Sequence, residues 1–586
     1  MPFAFANMKR FLCFLILLAL PLHAATKTCT FTAADGTELS TYSASGELAW
    51  TEASGMTTGN IIISDANRAR TDTTNTSWYY ANNFTAATYN YDVEASITFV
   101  SVPTSNQAYI GIAGRATSTS TQSGYIARID RDSGVWEIHF DRAGGAALAE
   151  VAITTPTAGS THTLKLEMRD NVSKVYWDGV AVITYPINTT SASYLSSVGN
   201  PAIYMDMNSG SLTNSTGIHM DNFTVTDAPA INTTGVQTPA ATDFWYNSRD
   251  GTSSGTYVPE QSCFAELRFT TNAQKMIVTG TTNAASHLFK LWINGVQVSA
   301  TDYADLQFSG TGSQTFTTYF FSTPGTVREI RIQGYSAAYS SGTLSRSRIQ
   351  TVELQDFYNT PTYTLVPPER PDLLIYGDSI MVGASAAAPV SNATGVKMRR
   401  LYGRKVAIDG WSGRALSQDG LTAGERTTLA GILTRTQPYK IWMQVATNDY
   451  GAVAAWSATD FGTAYADLID KIHAIDPAIV IWCQSPTQRL SPFNESANAF
   501  GNTTQDYRNV IASVAAARPT YCTYVNGAGG RIVTDMHWSD GLHASAHGQQ
   551  NYADFIEATV WGTRINPAAA GSLRINPLAA GSLKLK

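Results

Sequence analysis

Leu373-Leu374-Ile375-Tyr376-Gly377-Asp378-Ser379-Ile380 is the stretch whose reading decides the fold. Four apolar residues, enough for a buried strand, stop at a glycine and deliver an acidic residue and a serine to the start of a helix-like segment. A serine placed there can attack a carbonyl while the unpaired amides of the helix start face the developing oxyanion. Taken alone, Gly-Asp-Ser fits a turn with an N-cap serine equally well. The rest of the chain separates the two readings.

From about 365 to 562 apolar runs alternate with segments of helical period. The runs are Leu373–Tyr376, Lys405–Ile408, Ile441–Val445, Ile479–Cys483 and Tyr521–Val525, and helices are predicted over Thr459–Ala474 and Thr503–Ala517. Such alternation implies a parallel sheet with helices on both faces, and sheets of this kind gather functional groups at the carboxyl ends of their strands. Each later run ends on a useful residue. Asp409-Gly410-Trp411-Ser412-Gly413 follows the second, Ala446-Thr447-Asn448-Asp449 the third, and Asp540-Gly541-Leu542-His543 comes near the end. Together they supply a serine nucleophile, a histidine base, an aspartate to orient it and three oxyanion donors. A metal reading of Asp535, His537, Asp540, His543 and His547 lacks H-E-x-x-H spacing, so neither metal nor cofactor is expected.

At this point the sequence resembles the SGNH, or GDSL-like, hydrolases, whose four blocks stand here in order over Gly377-Asp378-Ser379, Ser412-Gly413, Asn448-Asp449 and Asp540-x-x-His543. The resemblance implies an α/β three-layer domain in which Ser379 is the nucleophile, His543 the general base and Asp540 its orienting partner. It implies an oxyanion hole of the Ser379 N–H, the Gly413 N–H and the Asn448 side-chain amide. Asp378 and Asp449 match acidic positions that support loops. Gly410 is a rival to Gly413, which is preferred because the family's oxyanion glycine usually follows Ser. Departures from the family pattern are Ile380 for Leu, Ala446 for Gly and Ala544 for Pro.

The portion before residue 365 reads differently. Val93–Phe99, Leu164–Met168 and Val175–Val182 are short alternating runs broken by turn residues, the pattern of an antiparallel sandwich. Asp130-Arg131-Asp132-Ser133-Gly134 reads as a hairpin turn rather than a calcium loop, since further ligands are missing. With the Trp177-Asp178-Gly179 hairpin and the closing Asp221-Asn222-Phe223-Thr224-Val225 strand, residues 26–228 resemble concanavalin A-like, laminin-G-like modules of secreted carbohydrate-active proteins. That resemblance implies glycan binding, with Trp78, Tyr79 and Tyr80 as candidate platforms, a cluster that reads equally well as core or turn residues. Asp227–Gly235 reads as a linker, and a second β-sandwich of jelly-roll type is expected over 236–360, marked by the Asn294-Gly295 hairpin. Gly251-Thr252-Ser253-Ser254-Gly255 matches G-x-S-x-G but lacks the flanking strand and helix, and reads as a loop. The expected architecture is therefore multidomain: two N-terminal β-sandwiches, then the α/β hydrolase domain over 365–562.

Length and composition agree with this organisation. At 586 residues the chain exceeds one hydrophobic core, and 44% hydrophobic with 14% charged residues suits an exported β-rich protein. A net charge of -6 argues against a nucleic-acid partner. Lys9-Arg10 followed by the apolar run Phe11–Leu22 and Ala24-Ala25 reads as a signal peptide over 1–25, too short to span a bilayer, which implies a secreted, cell-surface or periplasmic protein. Of the 5 cysteines, Cys13 leaves with that leader, and the spacing of Cys29, Cys263, Cys483 and Cys522 leaves their connectivity open. Residues 563–586 hold a doubled Arg-Ile-Asn-Pro motif, at Arg564 and Arg574, and form a short tail with an unknown partner.

The leading expectation is a secreted carbohydrate esterase that removes acetyl groups from a polysaccharide through an acyl-enzyme. Two alternatives are a glycan-binding adhesin or phage/envelope attachment protein on a hydrolase-like fold, and a lipase or thioesterase acting on acyl esters.

Overall fold

The structure is a computed structural model. It describes residues 26–562, apart from 54–59, 73–75, 85, 87, 105–107, 117–123, 133, 143–146, 188–193, 208–212, 241–242, 246–265, 283–286, 299–305, 309–311, 321–322, 337–347, 384–392, 411–414, 417–432, 434–436, 452–455, 489–494 and 529–541. The expected leader, the repeated tail, the 251–255 loop, Cys263, Gly413, Asp535, His537 and Asp540 lie outside the described residues. The chain divides between Ile231 and Asn232 into two compact units.

The first unit is a sandwich of an eight-stranded and a seven-stranded antiparallel sheet. Its strand Tyr91–Phe99 shows the cause: Tyr91, Val93, Ala95 and Ile97 are fully buried between the sheets while Glu94 is exposed, the period of two that a half-buried strand requires. Opposite them, Trp136, Ile138 and Phe140 of Val135–Arg142 complete the same core. Asp178 (φ 50°) and Gly179 (φ 78°) form the tight turn that pairs Trp177 with Val180, as a two-residue hairpin demands. Asp130, Arg131 and Asp132 are strand residues paired with Glu137, Trp136 and Val135.

One open alternative is decided here and one boundary moves. Trp78 and Tyr79 are fully buried, Trp78 lying edge-on to Tyr204 (5.8 Å between centroids) and Tyr79 lying in the inter-sheet core, while Tyr80 is half-buried. These rings offer no open platform, because their strand, Ser77–Ala81, is internal to its sheet and packed on both faces. The linker is also shorter than its composition suggested. Strand Ile218–Asp227 runs into it, and strand Asn232–Gln237 already pairs with Arg348–Asp356 of the second unit.

The second unit begins with two antiparallel sheets around a core of Phe269, Met276, Val278, Ile330 and Leu354. The Asn294-Gly295 turn has φ values of 51° and 78° and joins paired strands, as expected. These sheets pack directly on the α/β layers that follow. Trp245 belongs to the α/β core and donates its indole N–H to the Val366 carbonyl (2.9 Å), and Glu266 reaches Arg399 (3.5 Å).

In the α/β part we label β1 (Leu373–Gly377), α1 (Thr394–Tyr402), β2 (Val406–Gly410), β3 (Lys440–Gln444), α2 (Thr447–Tyr450), α3 (Ala458–Ile475), β4 (Val480–Gln484), α4 (Thr504–Ala516), β5 (Cys522–Val525) and α5 (Ala546–Trp561). The five strands are parallel in the order β2-β1-β3-β4-β5. Leu374, Ile441 and Met443 point into one helix layer and Leu373, Ile375 and Trp442 into the other, which is why these strands read as unbroken apolar runs. Ser457 caps α3 by accepting the Asp460 N–H, and Thr503 with Asp506 forms a capping box on α4. No helix among the described residues is long and apolar enough to cross a membrane.

Cys483 and Cys522 are buried free thiols on neighbouring strands, with Tyr465 in the same core. The register pairs Cys522 with Ile481, so Cys483 stands two residues along the neighbouring strand. Strand spacing then puts the two Cα atoms about 8 Å apart, beyond the roughly 7 Å a disulfide tolerates. Peptide mapping of unreduced, denatured protein is therefore expected to recover both cysteines as free thiols.

Candidate active site

The first block folds into a tight turn at the carboxyl end of β1. Ile380 N–H donates to the Asp378 carboxylate (2.9 Å) and Met381 N–H to the Asp378 carbonyl (3.2 Å), which winds the chain back on itself and leaves Ser379 between them. Two glycines let this turn sit down on the sheet. A Cβ on Gly377 would lie 2.3 Å from Met381, and one on Gly410 would lie 2.6 Å from Val382. Gly410, the rival oxyanion donor, thus has a steric reason to be glycine.

His543 lies 164 residues further on, just before α5, and its Nε2 is 3.0 Å from Ser379 Oγ. With Nε2 toward the hydroxyl, Nδ1 is the atom an orienting carboxylate would take. Ser379 is 3% exposed, so this contact is shielded from bulk water while His543 remains half-buried. Asn448 stands on α2, directly after β3, the strand that flanks β1 on the side away from β2. Ala446, which precedes α2, is fully buried and held at φ 84°, the left-handed region in which only glycine is at ease. Asp449 is buried next to Asn448. Gly413 and Asp540, the other site residues named from the sequence, are outside the described residues.

Residues 375–550 match the model of the GDSL-like Lipase/Acylhydrolase family. This segment is a GDSL-like lipase/acylhydrolase domain. No curated protein matches the chain. Among solved structures it is similar to the salicylyl-acyltransferase SsfX3 of a tetracycline biosynthetic pathway (16% identity over 58% of this chain and 98% of that one, TM-score 0.42). It is similar also to a family two carbohydrate esterase from Clostridium thermocellum in complex with cellohexaose (15%, 56% and 99%, TM-score 0.40). A third is an acetyl xylan esterase from the rumen bacterium Butyrivibrio proteoclasticus (11%, 56% and 99%, TM-score 0.38).

Beneath Ser379 the GDSL-like domain holds a layer of buried polar side chains that no motif announced. Gln444, the last residue of β3, donates to the Asp378 carboxylate (3.2 Å) and to Thr447 Oγ1 (3.2 Å). Beside it Gln484, the last residue of β4, accepts from the Trp442 indole (2.8 Å) and from the Tyr552 hydroxyl. The one signal available was positional, a glutamine closing each of two apolar runs. Burial pushes the Asp378 carboxyl up to about 6, against the opposing pull of hydrogen bonds from Ile380, Thr447 and Gln444 and of the His543 charge. Asp378 therefore supports the turn from below.

For metals, the ring of His543 is committed to Ser379, and His547 is exposed. In the first unit Glu137, His139 and Glu150 bring donor atoms within 4.8 Å of one another. There Arg128 Nη2 is 3.3 Å from His139 Nδ1, which makes Nδ1 the acceptor and turns the ring proton toward Glu137 (3.2 Å), so the group is a hydrogen-bonded ionic network.

Because the folded state holds the Asp378 proton more tightly than the unfolded state, its contribution to stability is present at low pH. It is lost as pH rises from 3.8 through about 6, by on the order of 2–3 kcal/mol. Denaturant titrations should show wild type losing stability relative to Asp378→Asn across that window. Ala446→Gly should relieve the left-handed strain and stabilise the domain by up to about 1 kcal/mol in the same assay.

Proposed function

We propose that this chain is a secreted serine esterase of the SGNH type that deacetylates a polysaccharide through an acyl-enzyme. The observation that carries the hydrolytic reading is the 3.0 Å contact of Ser379 Oγ with His543 Nε2 at the carboxyl edge of the sheet. His543 takes the hydroxyl proton as Ser379 Oγ bonds to the ester carbon, and the carbonyl becomes an oxyanion facing the Ser379 N–H and the Asn448 amide, with the Gly413 N–H as the third donor. The oxyanion collapses, the C–O bond to the sugar breaks, and the histidine returns its proton to the departing hydroxyl. Water, deprotonated by the same histidine, then adds to the acyl carbon, the bond from that carbon to Ser379 Oγ breaks, and the histidine returns the proton to Oγ as the acid leaves. Asp540 orients the imidazole through Nδ1. None of these steps calls on a metal or a cofactor.

Support for the polymer substrate comes from elsewhere in the chain. The leader-like opening favours export, and the large β-sandwich of residues 26–228 is a suitable module for holding a glycan, though not through Trp78 or Tyr79, which are buried. The half-buried setting of His543 suits acyl groups presented from outside.

Three measurements test the proposal. A fluorophosphonate probe is expected to label wild type and not Ser379→Ala; an unlabelled, well-folded wild type would favour the glycan-binding alternative. Asn448→Ala is expected to cut turnover on p-nitrophenyl acetate about 10²–10³-fold, the usual cost of one oxyanion donor. Acetate should be released from acetylated xylan, pectin or a bacterial surface glycan, whereas preference for long acyl chains would point to a lipase or thioesterase.

A further inference from the structure

The loop bearing His543 and the turn bearing Ser379 come from opposite ends of the domain, and one buried side chain joins them. Gln549 lies in the first turn of α5 and is fully buried. Its Nε2 donates to the Ile380 carbonyl (2.6 Å), and its Oε1 accepts from Thr394 Oγ1 at the start of α1. Ile380 is the residue after the candidate nucleophile, and its N–H is already held by Asp378. Both sides of this residue's backbone are thus pinned, the N–H from the sheet side and the carbonyl from α5. At the other end Gln549 N–H donates to the Ser545 carbonyl (2.8 Å), and Ser545 caps α5 two residues after His543.

We propose that Gln549 is a positioning residue that sets the Ser379–His543 distance by bonding the nucleophile's turn to the helix that carries the base. The proposal rests on the reading of that pair as nucleophile and base. Its physical basis is short linkage. Ser379 moves with Ile380, and His543 moves with the cap of α5. A slip of α5 along the sheet would therefore open the catalytic hydrogen bond unless something tied the two together. Gln549 is suited to this because its amide has a donor for Ile380 and an acceptor for Thr394 at once, which fixes the amide's orientation as well as its place. Glutamine is not demanded by packing alone, since Met fills a similar volume in a core of this kind.

Gln549→Met keeps the volume and deletes both hydrogen bonds. Well below its unfolding temperature, and normalised to folded protein by circular dichroism, it is expected to lose 10- to 100-fold in kcat on p-nitrophenyl acetate with KM within about twofold of wild type, as befits an interaction felt in the transition state. Fluorophosphonate labelling of Ser379 should slow by a similar factor. In a Ser379→Ala background the same substitution should leave the residual rate unchanged. Thr394→Val, which removes only the outer bond, should have a smaller effect in the same direction. Should Gln549→Met fail to fold, Gln549→Glu supplies the second measurement. A protonated carboxyl can still donate to Ile380 and an ionised one cannot, so its kcat relative to wild type should fall as pH rises. A folded Gln549→Met with wild-type kcat, or a Gln549→Glu ratio flat with pH, overturns the proposal and leaves the esterase reading intact. A Ser379→Ala variant as active as wild type overturns the esterase reading, and the proposal with it.

Discussion

The hydrogen bond between the Ser379 hydroxyl and the His543 imidazole is the contact on which the rest of this molecule's chemistry depends. It joins residues separated by 164 positions, and no local preference can create it. What creates it is the order of the strands. β1 lies between β2 and β3, so the connection leaving β1 runs to β2 while the one leaving β3 runs to β4 on the other side, the switch point at which sheets of this kind place a binding crevice at the carboxyl edge. Ser379 stands at that edge, and α5 returns at the end of the domain to bring His543 over it. Gly377 and Gly410, side by side on adjacent strands, allow the turn to descend where any side chain would collide with Met381 or Val382.

The polar layer below the serine explains how such a contact can be held still. Asp378, Gln444, Thr447, Gln484 and Gln549 are all buried, and buried polar groups are costly unless their hydrogen bonds are made. Here Gln444 bonds the Asp378 carboxylate from the sheet, Asp378 bonds the Ile380 N–H within the turn, and Gln549 bonds the Ile380 carbonyl from the helix, while Gln444 Oε1 and Gln484 Nε2 make no bond among the described residues. A site built in this way is preorganised before any substrate arrives, which is the condition under which oxyanion donors and a general base are most effective.

The β-rich portions contribute differently. The first unit is a large sandwich whose aromatic strand Ser77–Ala81 is packed on both faces, so its aromatic content serves the fold. The middle sheets are joined to the α/β layers through Trp245, Arg268 and Arg399, with the Arg268 guanidinium 3.9 Å from the Trp245 ring and Glu266 between the two arginines. The segments 236–360 and 365–562, which the sequence pattern separates, therefore belong to one compact unit.

By itself the sequence determined the element types. The five strands and the helices α3 and α4 of the α/β part were legible to within about two residues because apolar runs and helical periods are local properties, whereas α1, α2 and α5 were not placed from sequence, and the Asn294-Gly295 and Asp178-Gly179 turns were legible because few residues accept positive φ. Ser379, Asn448 and His543 could be named from their motifs. Tertiary structure alone decided that Ser379 and His543 meet, that Trp78 and Tyr79 are both covered, each on its own face of the strand, that Cys483 and Cys522 are out of register for a bridge, and that Gln444, Gln484 and Gln549 brace the site. The physical reason is that these properties belong to pairs of distant residues. A glutamine closing an apolar run looks like any strand end until its neighbour across the sheet is known, and burial has no sequence signature where loops and sheets cover one another.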